Sequence, residues 1–203
     1  FSIFFTLLSW RRLDLAIAFT VFALPSYLIR FKIGPLPMTA LELMIILVFF
    51  SWLIKIYIEK KWSNISFSQY KWLFFLFLII ATIAVFISDN RTAALGLWKA
   101  YFVEPILFFL VFINTIKKRE QWTLIIRAIG ASALLVALPA IIQKFTGWGI
   151  DNPFWRNEAT RRVVSWYGFP NAVGLYLGPI IMLYVGIFWL RITNLLRIYK
   201  STK

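Results

Sequence analysis

The chain has 203 residues, of which 61% are hydrophobic and only 15% are charged. Soluble domains are about 45–50% apolar, so this chain has too little polar surface to coat a water-soluble globule of its size. The composition also excludes intrinsic disorder. Cysteine and histidine are absent from the sequence, which removes thiolate metal sites and a histidine base. We therefore predict an integral membrane protein that uses no metal and no cofactor.

Continuous apolar runs predict an all-α fold, a polytopic transmembrane helical bundle of about six spans. A helix needs about 20 apolar residues to cross a bilayer, and these runs lack the alternation of barrel strands. The predicted spans are 13–29 with Pro25 as a kink, 40–58, 72–88, 99–116, 122–143 and 171–190. The predicted organisation is an interfacial segment 1–12, five spans within 13–143, a loop 144–170, a sixth span 171–190 and a basic tail 191–203.

Lysine and arginine give the chain a formal charge of +14. Most of these cations lie between the predicted spans, so we attribute them to topology and to contacts with membrane lipids, and we expect no nucleic-acid partner. They are more numerous on the side that holds both termini, which predicts both termini inside and the loop 144–170 outside. Most tryptophans fall near the ends of the predicted spans, as in an interfacial belt.

The loop 144–170, which we call the basic loop, is the longest predicted stretch outside the membrane. It carries Lys144, Arg156, Arg161 and Arg162, and arginine side chains bind phosphate groups through paired hydrogen bonds. Cations outside also run against the positive-inside bias. The sequence leaves two interpretations open: an anion site near the outer leaflet, or a solvated loop that contacts lipid head groups.

Ionisable residues inside a membrane span are costly and therefore mark candidate functional positions. Glu104 lies in the fourth predicted span and is followed by Pro105, which we expect to distort the helix. In the predicted topology Glu104 lies near the outer surface, where it would either meet cations of the basic loop or form a buried structural ion pair. Arg127 lies near the inner surface in the fifth span, and we expect its side chain to reach the head groups.

The segment from Arg162 to Tyr176, RVVSWYGFPNAVGLY, resembles the start of the core of the O-antigen ligase and Wzy-type O-antigen polymerase superfamily. Members of that family carry an arginine, a short segment that ends in Gly-x-Pro-Asn, and then a helix that opens with small and apolar residues. Three further segments resemble the family in the same order: LPSYLIRFKIGPLPMTALELMI (24–45), YFVEPILFFLVF (101–112) and AIIQKFTG (140–147).

The resemblance implies the N-terminal portion of a metal-independent glycosyltransferase of the bacterial inner membrane. Such enzymes pass a glycan from an undecaprenyl-diphosphate carrier to a hydroxyl of an acceptor glycan or lipid at the periplasmic face. By resemblance, Arg161 or Arg162 would hold the diphosphate, and Asn171 would cap the following helix or bind an oxygen. The tentative diphosphate-binding set is Arg161, Arg162, Arg156, Asn171, Lys144 and Glu104. The resemblance assigns no catalytic residue, and we expect this portion alone to be inactive.

Two other functions compete with a glycosyltransferase. In a small polytopic transporter, or in a module that flips lipid-linked glycans, Glu104 and Arg127 would line a path across the membrane. However, transport sites usually lie near the bilayer midplane, whereas these two residues are predicted near opposite faces. A membrane scaffold without enzymatic activity would explain the apolar runs but would leave the cations of the basic loop without a role.

Overall fold

The computed structural model describes residues 1–34, 36–67, 69 and 71–201. The described part of the chain is mainly helical, with irregular connections and one short hairpin, which confirms the predicted helical fold. The chain divides into two compact units, Phe1–Ala128 and Ile129–Lys203. Of the predicted basic tail, residues 202 and 203 lie outside the described residues.

The first unit consists of helices joined by short connections. Its α-helices are α1 (Ser2–Arg11), α2 (Leu13–Phe22), α3 (Ala40–Ile58), α4 (Lys71–Ile87), α5 (Arg91–Trp98), α6 (Glu104–Thr115) and the first turns of α7 (Arg119–Thr146). Short 3-10 helices cover Leu24–Leu28 and Trp62–Asn64, and a π-helical turn covers Lys99–Val103. The strands are β1 (Arg30–Ile33) and β2 (Leu36–Thr39).

Helix α3 lies at the centre of the first unit, where it packs against α1, α2 and α6. Its side chains Met44 and Val48 are buried, as are Phe5 of α1, Ile17 of α2 and Val111 of α6. These apolar contacts hold the N-terminal helix against the rest of the unit, although the sequence predicts that segment as interfacial.

A capping box starts α3 and was not part of the sequence prediction. The Thr39 hydroxyl accepts a hydrogen bond from the Glu42 amide at 3.2 Å, and Glu42 Oε2 accepts one from the Thr39 amide at 2.6 Å. This reciprocal pair satisfies amide groups that a helix start leaves without partners. It also fixes the Glu42 carboxyl group at the end of the hairpin.

The antiparallel hairpin β1–β2 occupies the segment between the first two predicted spans. Arg30 pairs with Thr39 in its register, and Gly34 has a φ of 59° in the turn. The preceding helix ends at Phe22, and Pro25 lies in the following 3-10 helix. The predicted first span of 13–29 is therefore an α-helix of 10 residues followed by a tighter turn, since proline lacks the amide that would continue the α-helix.

The distortion expected at Pro105 is confirmed. A π-helical turn over Lys99–Val103 lies between α5 and α6, so that Arg91–Thr115 is one helical segment with an irregular middle. Single π-helical turns inside α-helices are rare, and those that occur are often found at functional sites. Here the turn begins at Lys99 and ends just before Glu104.

The second unit contains the rest of α7, the short helix α8 (Pro153–Arg156) and α9 (Pro170–Ser201). Pro170 is the first residue of α9, a position where proline costs nothing because that amide has no helical partner. Helix α9 continues past the predicted end at residue 190. A small cluster of Val136, Ala140 and Val173 forms the buried apolar core of the second unit.

Among the described residues, four helices are long and apolar enough to cross a membrane: Ala40–Ile58, Arg91–Thr115, Arg119–Thr146 and Pro170–Thr193. They correspond to the second, fourth, fifth and sixth predicted spans. The first and third predicted spans correspond to the shorter apolar helices α2 and α4, of 10 and 17 residues. Large apolar side chains are exposed along α4 and α9, including Phe86 and Phe188, which is a surface that lipid covers favourably and water does not.

Candidate functional site

The basic loop is anchored to α7 by Gln143, whose side chain is 3% exposed. Its Oε1 accepts hydrogen bonds from the Val164 amide at 2.9 Å and from the Ser165 amide at 2.7 Å, while Nε2 donates to the Ser165 carbonyl at 3.2 Å. One buried amide group therefore fixes the backbone of the loop just before it leads into α9. This positions the arginines that precede Val164.

A second anchor lies at the proline inside α7. Pro139 has no amide hydrogen to donate to the Leu135 carbonyl one turn earlier. The Trp166 indole Nε1 donates to that carbonyl at 2.8 Å, and the Ser165 hydroxyl donates to the Val136 carbonyl at 2.7 Å. The returning loop thus supplies the hydrogen-bond donor that the proline removes from the helix.

Arg161 caps the C-terminal end of α7. Its Nη1 donates to the carbonyls of Lys144 and Phe145, each at 3.1 Å, and its Nε donates to the Arg156 carbonyl at 3.2 Å. The last carbonyls of a helix lack helical partners and carry partial negative charge, so a guanidinium group stabilises them. Gly147 has a φ of 68°, and a Cβ atom there would lie 3.3 Å from the guanidinium carbon. Arg161 is therefore a structural residue of this loop.

Lys144 and Arg156 take part in the same arrangement. Lys144 Nζ donates to the Arg161 carbonyl at 3.3 Å, so its ammonium group also binds backbone. Arg156 ends α8, where its carbonyl accepts from Arg161 while its own side chain is exposed. Of these three cations, Arg156 is the one whose side chain faces solvent without a backbone role in the described contacts.

Arg162 has a different environment from Arg161. Its side chain is exposed, and its Nη2 donates to the Asn171 Oδ1 at 3.0 Å, in the first turn of α9. Its amide donates to the Trp155 carbonyl at 2.9 Å. Gly168, with a φ of 66°, allows the chain to turn between Arg162 and α9. The structure therefore holds an exposed guanidinium beside the start of a long helix, where the helix dipole also favours an anion.

Glu104 lies in the first unit, among charged groups that the sequence did not predict as its neighbours. Its carboxyl group is within hydrogen-bond reach of Glu42, and Lys99 is the cation nearest to the pair. Lys99 Nζ lies 3.0 Å from the Glu42 Oε1 and donates to the Pro37 carbonyl at 3.3 Å. Glu104 is 5% exposed, and among the described residues its Oε1 has no hydrogen-bond partner.

These groups lie in a pocket of about 920 Å³, bounded by the β1–β2 hairpin, the start of α3 and the π-helical turn. Its lining is mostly apolar, with charged side chains at a few positions. The charged lining residues are Arg30, Lys32, Glu42, Lys99 and Glu104. Ligand pockets in proteins are typically of about this size and combine an apolar wall with a few convergent polar groups.

The predicted site residues thus fall into two places. The basic loop brings together Arg161, Arg156 and Lys144, with Arg162 and Asn171 as a separate pair, whereas Glu104 belongs to the first unit. Sequence reasoning missed the structural role of Gln143 and the contact of Glu104 with Glu42 and Lys99. The signals were present in part: Thr39 and Glu42 have capping-box spacing, and Pro139 leaves a carbonyl that needs a donor.

Comparison with protein-family models, with curated proteins and with solved structures finds no match for this chain. The functional interpretation therefore depends on the chemistry of its own residues. Two features carry that interpretation, namely the exposed Arg162–Asn171 pair in the second unit and the pocket around Glu104 in the first.

Proposed function

We propose that this chain is part of a bacterial inner-membrane glycosyltransferase, which transfers or polymerises glycan from an undecaprenyl-diphosphate carrier onto an acceptor hydroxyl at the periplasmic face. In the proposed topology six helices cross the membrane, both termini are cytoplasmic and the basic loop is periplasmic. The single observation that carries the proposal is the Arg162–Asn171 pair. It presents an exposed guanidinium, held at 3.0 Å by a side-chain amide, at the start of α9.

The chemistry of this reaction needs fixed positive charge. When the bond between the sugar and the diphosphate breaks, the diphosphate oxygen gains negative charge, and preorganised cations stabilise that charge in the transition state. Asn171 orients the guanidinium of Arg162, and the exposed side chain of Arg156 supplies a second cation from the same loop. Arg161 and Lys144 act indirectly, because their donors hold the loop in place.

Replacing single arginines in the complete gene tests this assignment. Arg162→Gln should lower glycan transfer by about 100-fold or more, the effect of removing one donor to a developing oxyanion. The matched control is Arg119→Gln, an exposed arginine at the other end of α7. Transfer is measured in membrane vesicles supplied with the lipid-linked glycan. Transfer by Arg162→Gln at the rate of the control would reject the proposed site.

The proposed topology has its own test. Fused reporters should show Asn157, in the basic loop, on the periplasmic side and Lys118, before α7, on the cytoplasmic side. The reverse result would place the arginines in the wrong compartment for a periplasmic transfer reaction, and the proposal would fail.

A second candidate function is a transporter or a module that flips lipid-linked glycan. The observation that favours it is the pair of buried carboxyl groups of Glu42 and Glu104 at the wall of a large pocket, beside the partly exposed Lys99. Buried ionisable residues in apolar helices often mark a transport path. Reconstitution in vesicles separates the two candidates. Substrate movement that Glu104→Gln abolishes and Arg162→Gln leaves intact would favour the transporter.

A further inference from the structure

The lining of the pocket in the first unit carries charges of both signs. The carboxyl groups of Glu42 and Glu104 are buried, at 7% and 5% exposed. Arg30 and Lys32 of β1, which also line the pocket, are exposed. A ligand that carries both a cation and an anion would match this lining.

The carboxyl groups of Glu42 and Glu104 differ in their hydrogen-bond partners. Glu42 pairs with Lys99 through Oε1 and accepts the Thr39 amide through Oε2. Lys99 also donates to the Pro37 carbonyl, so its ammonium group already has two protein partners. Glu104 Oε1 has no partner in the part of the chain that the structure describes. A buried carboxyl oxygen without a hydrogen-bond donor is costly, and the neighbouring Glu42 carboxyl group adds like-charge repulsion. A donor that carries positive charge offsets both effects.

We propose that this pocket binds the phosphoethanolamine head group of a membrane phospholipid. The primary ammonium group would donate to Glu104, and the phosphate would lie against Arg30 and Lys32. The acyl chains would leave along the apolar part of the lining, which includes Phe31 and Leu97. This inference is independent of the proposed glycan transfer, since it concerns residues of the first unit only.

The location of the pocket fits a lipid. It opens beside the hairpin at the N-terminal end of α3, a helix of 19 residues that is long and apolar enough to cross a membrane. The end of such a helix lies at the level of the lipid phosphates. The volume of about 920 Å³ accommodates a head group and the first carbons of its chains, because pockets for small ligands span about 300–1,000 Å³.

The chemistry predicts which lipids the pocket prefers. Phosphatidylcholine has the same two charges, but its quaternary ammonium has no hydrogen to donate to Glu104. Phosphatidylglycerol has hydroxyl donors but no positive charge. Charge-assisted hydrogen bonds are about twice as strong as neutral ones, so phosphatidylethanolamine should bind about tenfold more tightly than either lipid.

The test is binding of single lipids to the whole chain, purified in detergent and followed by native mass spectrometry. Phosphatidylethanolamine, phosphatidylcholine and phosphatidylglycerol with identical acyl chains are compared. Glu104→Gln should lower the affinity for phosphatidylethanolamine about tenfold, to the level of phosphatidylcholine. The double variant Arg30→Gln with Lys32→Gln should lower the affinity for all three lipids. The control is Arg91→Gln, an exposed arginine in α5 outside the pocket lining.

Binding of soluble phosphoethanolamine is measured in the same way, because this molecule carries the same charges without acyl chains. Weaker binding than the lipid supports a membrane source for the ligand, and equal binding would overturn the lipid assignment. Equal affinity for phosphatidylethanolamine and phosphatidylcholine would overturn the role of Glu104. Lipid binding by Glu104→Gln at the level of Arg91→Gln would do the same, and an unfolding scan of each variant confirms that the fold is retained. Failure of these tests leaves the Arg162 experiment unaffected.

Discussion

The basic loop and the pocket of the first unit differ in how their charged side chains find hydrogen-bond partners. In the loop, the guanidinium of Arg161 and the ammonium of Lys144 bind backbone carbonyls around the end of α7. In the pocket, the carboxyl group of Glu104 is 5% exposed and, among the described residues, its Oε1 has no partner. The loop holds more charged groups, but the pocket holds a buried carboxyl oxygen without a hydrogen-bond partner in the described structure.

This difference shows that charge density alone is a poor guide to a site. Cations beside the C-terminal end of a helix have a structural reason to be there, since they satisfy carbonyls that the helix cannot. A buried carboxyl oxygen without a hydrogen-bond partner costs free energy and has no comparable structural reason. Within the loop the same criterion separates Arg161, which binds backbone, from Arg162, which does not.

The largest expected effect is in the anchor of the loop. Gln143→Leu removes the acceptor for the buried Val164 and Ser165 amides and should lower the free energy of unfolding by about 3 kcal/mol. The matched control is Gln121→Leu, since Gln121 Oε1 accepts from the amides of Lys117 and Lys118 at an exposed site. Thermal unfolding in detergent measures both. Equal losses for the two variants would show that the loop is not anchored as described.

The next effect separates the two neighbouring arginines. Arg161→Gln removes hydrogen bonds to the end of α7 and should destabilise the protein by about 1–2 kcal/mol. Arg162→Gln should change stability by less than about 0.5 kcal/mol, because its side chain is exposed. The same unfolding measurement compares them. If Arg162→Gln proved the more destabilising variant, the structural and functional assignments of the pair would have to be exchanged.

Two neighbouring glutamates should respond with opposite signs. Glu104→Gln removes a buried carboxyl group that lies beside the like-charged Glu42 and whose Oε1 has no partner in the described structure. This change should stabilise the protein by about 1 kcal/mol. Glu42→Gln weakens the capping box and the contact with Lys99, and should destabilise it by about 1–2 kcal/mol. Unfolding of the lipid-free protein measures both. A destabilised Glu104→Gln variant would mean that Glu104 is satisfied in the fold.

The smallest effect is expected at an exposed pair that belongs to neither region. Glu59 lies 2.7 Å from Lys61, and a hydrogen bond from that ammonium group lowers the pKa of the Glu59 carboxyl below its ordinary value of 4.5. The stabilisation is therefore present above the ordinary pKa and is lost as the pH falls through the lowered value. Glu59→Gln should make the unfolding midpoint slightly less sensitive to acid as the pH falls below the ordinary pKa of 4.5. Identical pH profiles would show that the pair contributes nothing.

Much of the fold followed from composition and hydropathy. The span predicted at 40–58 is α3, and the spans predicted at 122–143 and 171–190 lie within α7 and α9. A distortion of the helix at Pro105 was expected, because a proline removes a hydrogen-bond donor. Its form, a π-helical turn over Lys99–Val103, comes from the structure. The hairpin was not predicted, because its strands are only four residues each. The alternation of polar and apolar residues in β1 is too short to identify a strand, and β2 contains a proline and does not alternate.

The candidate site was predictable in its residue types and not in its contacts. Arg161 and Arg162 are adjacent and identical, so no local pattern separates the one that caps α7 from the one that binds Asn171. In the sequence, Gln143 is only a polar residue at the end of an apolar run. Its role as the anchor of the basic loop depends on amides that lie 21 and 22 residues further along the chain.

By itself the sequence determined that this protein is helical and apolar, because hydropathy and the need to satisfy every backbone group are properties of local segments. It also determined where its cations concentrate. Only the tertiary structure decided which charges are satisfied, because that depends on atoms that folding brings together from distant parts of the chain. Glu42 and Glu104 are far apart in sequence and share one pocket wall, where their carboxyl groups lie within hydrogen-bond reach of each other. Among the described residues, Glu104 Oε1 still has no hydrogen-bond partner.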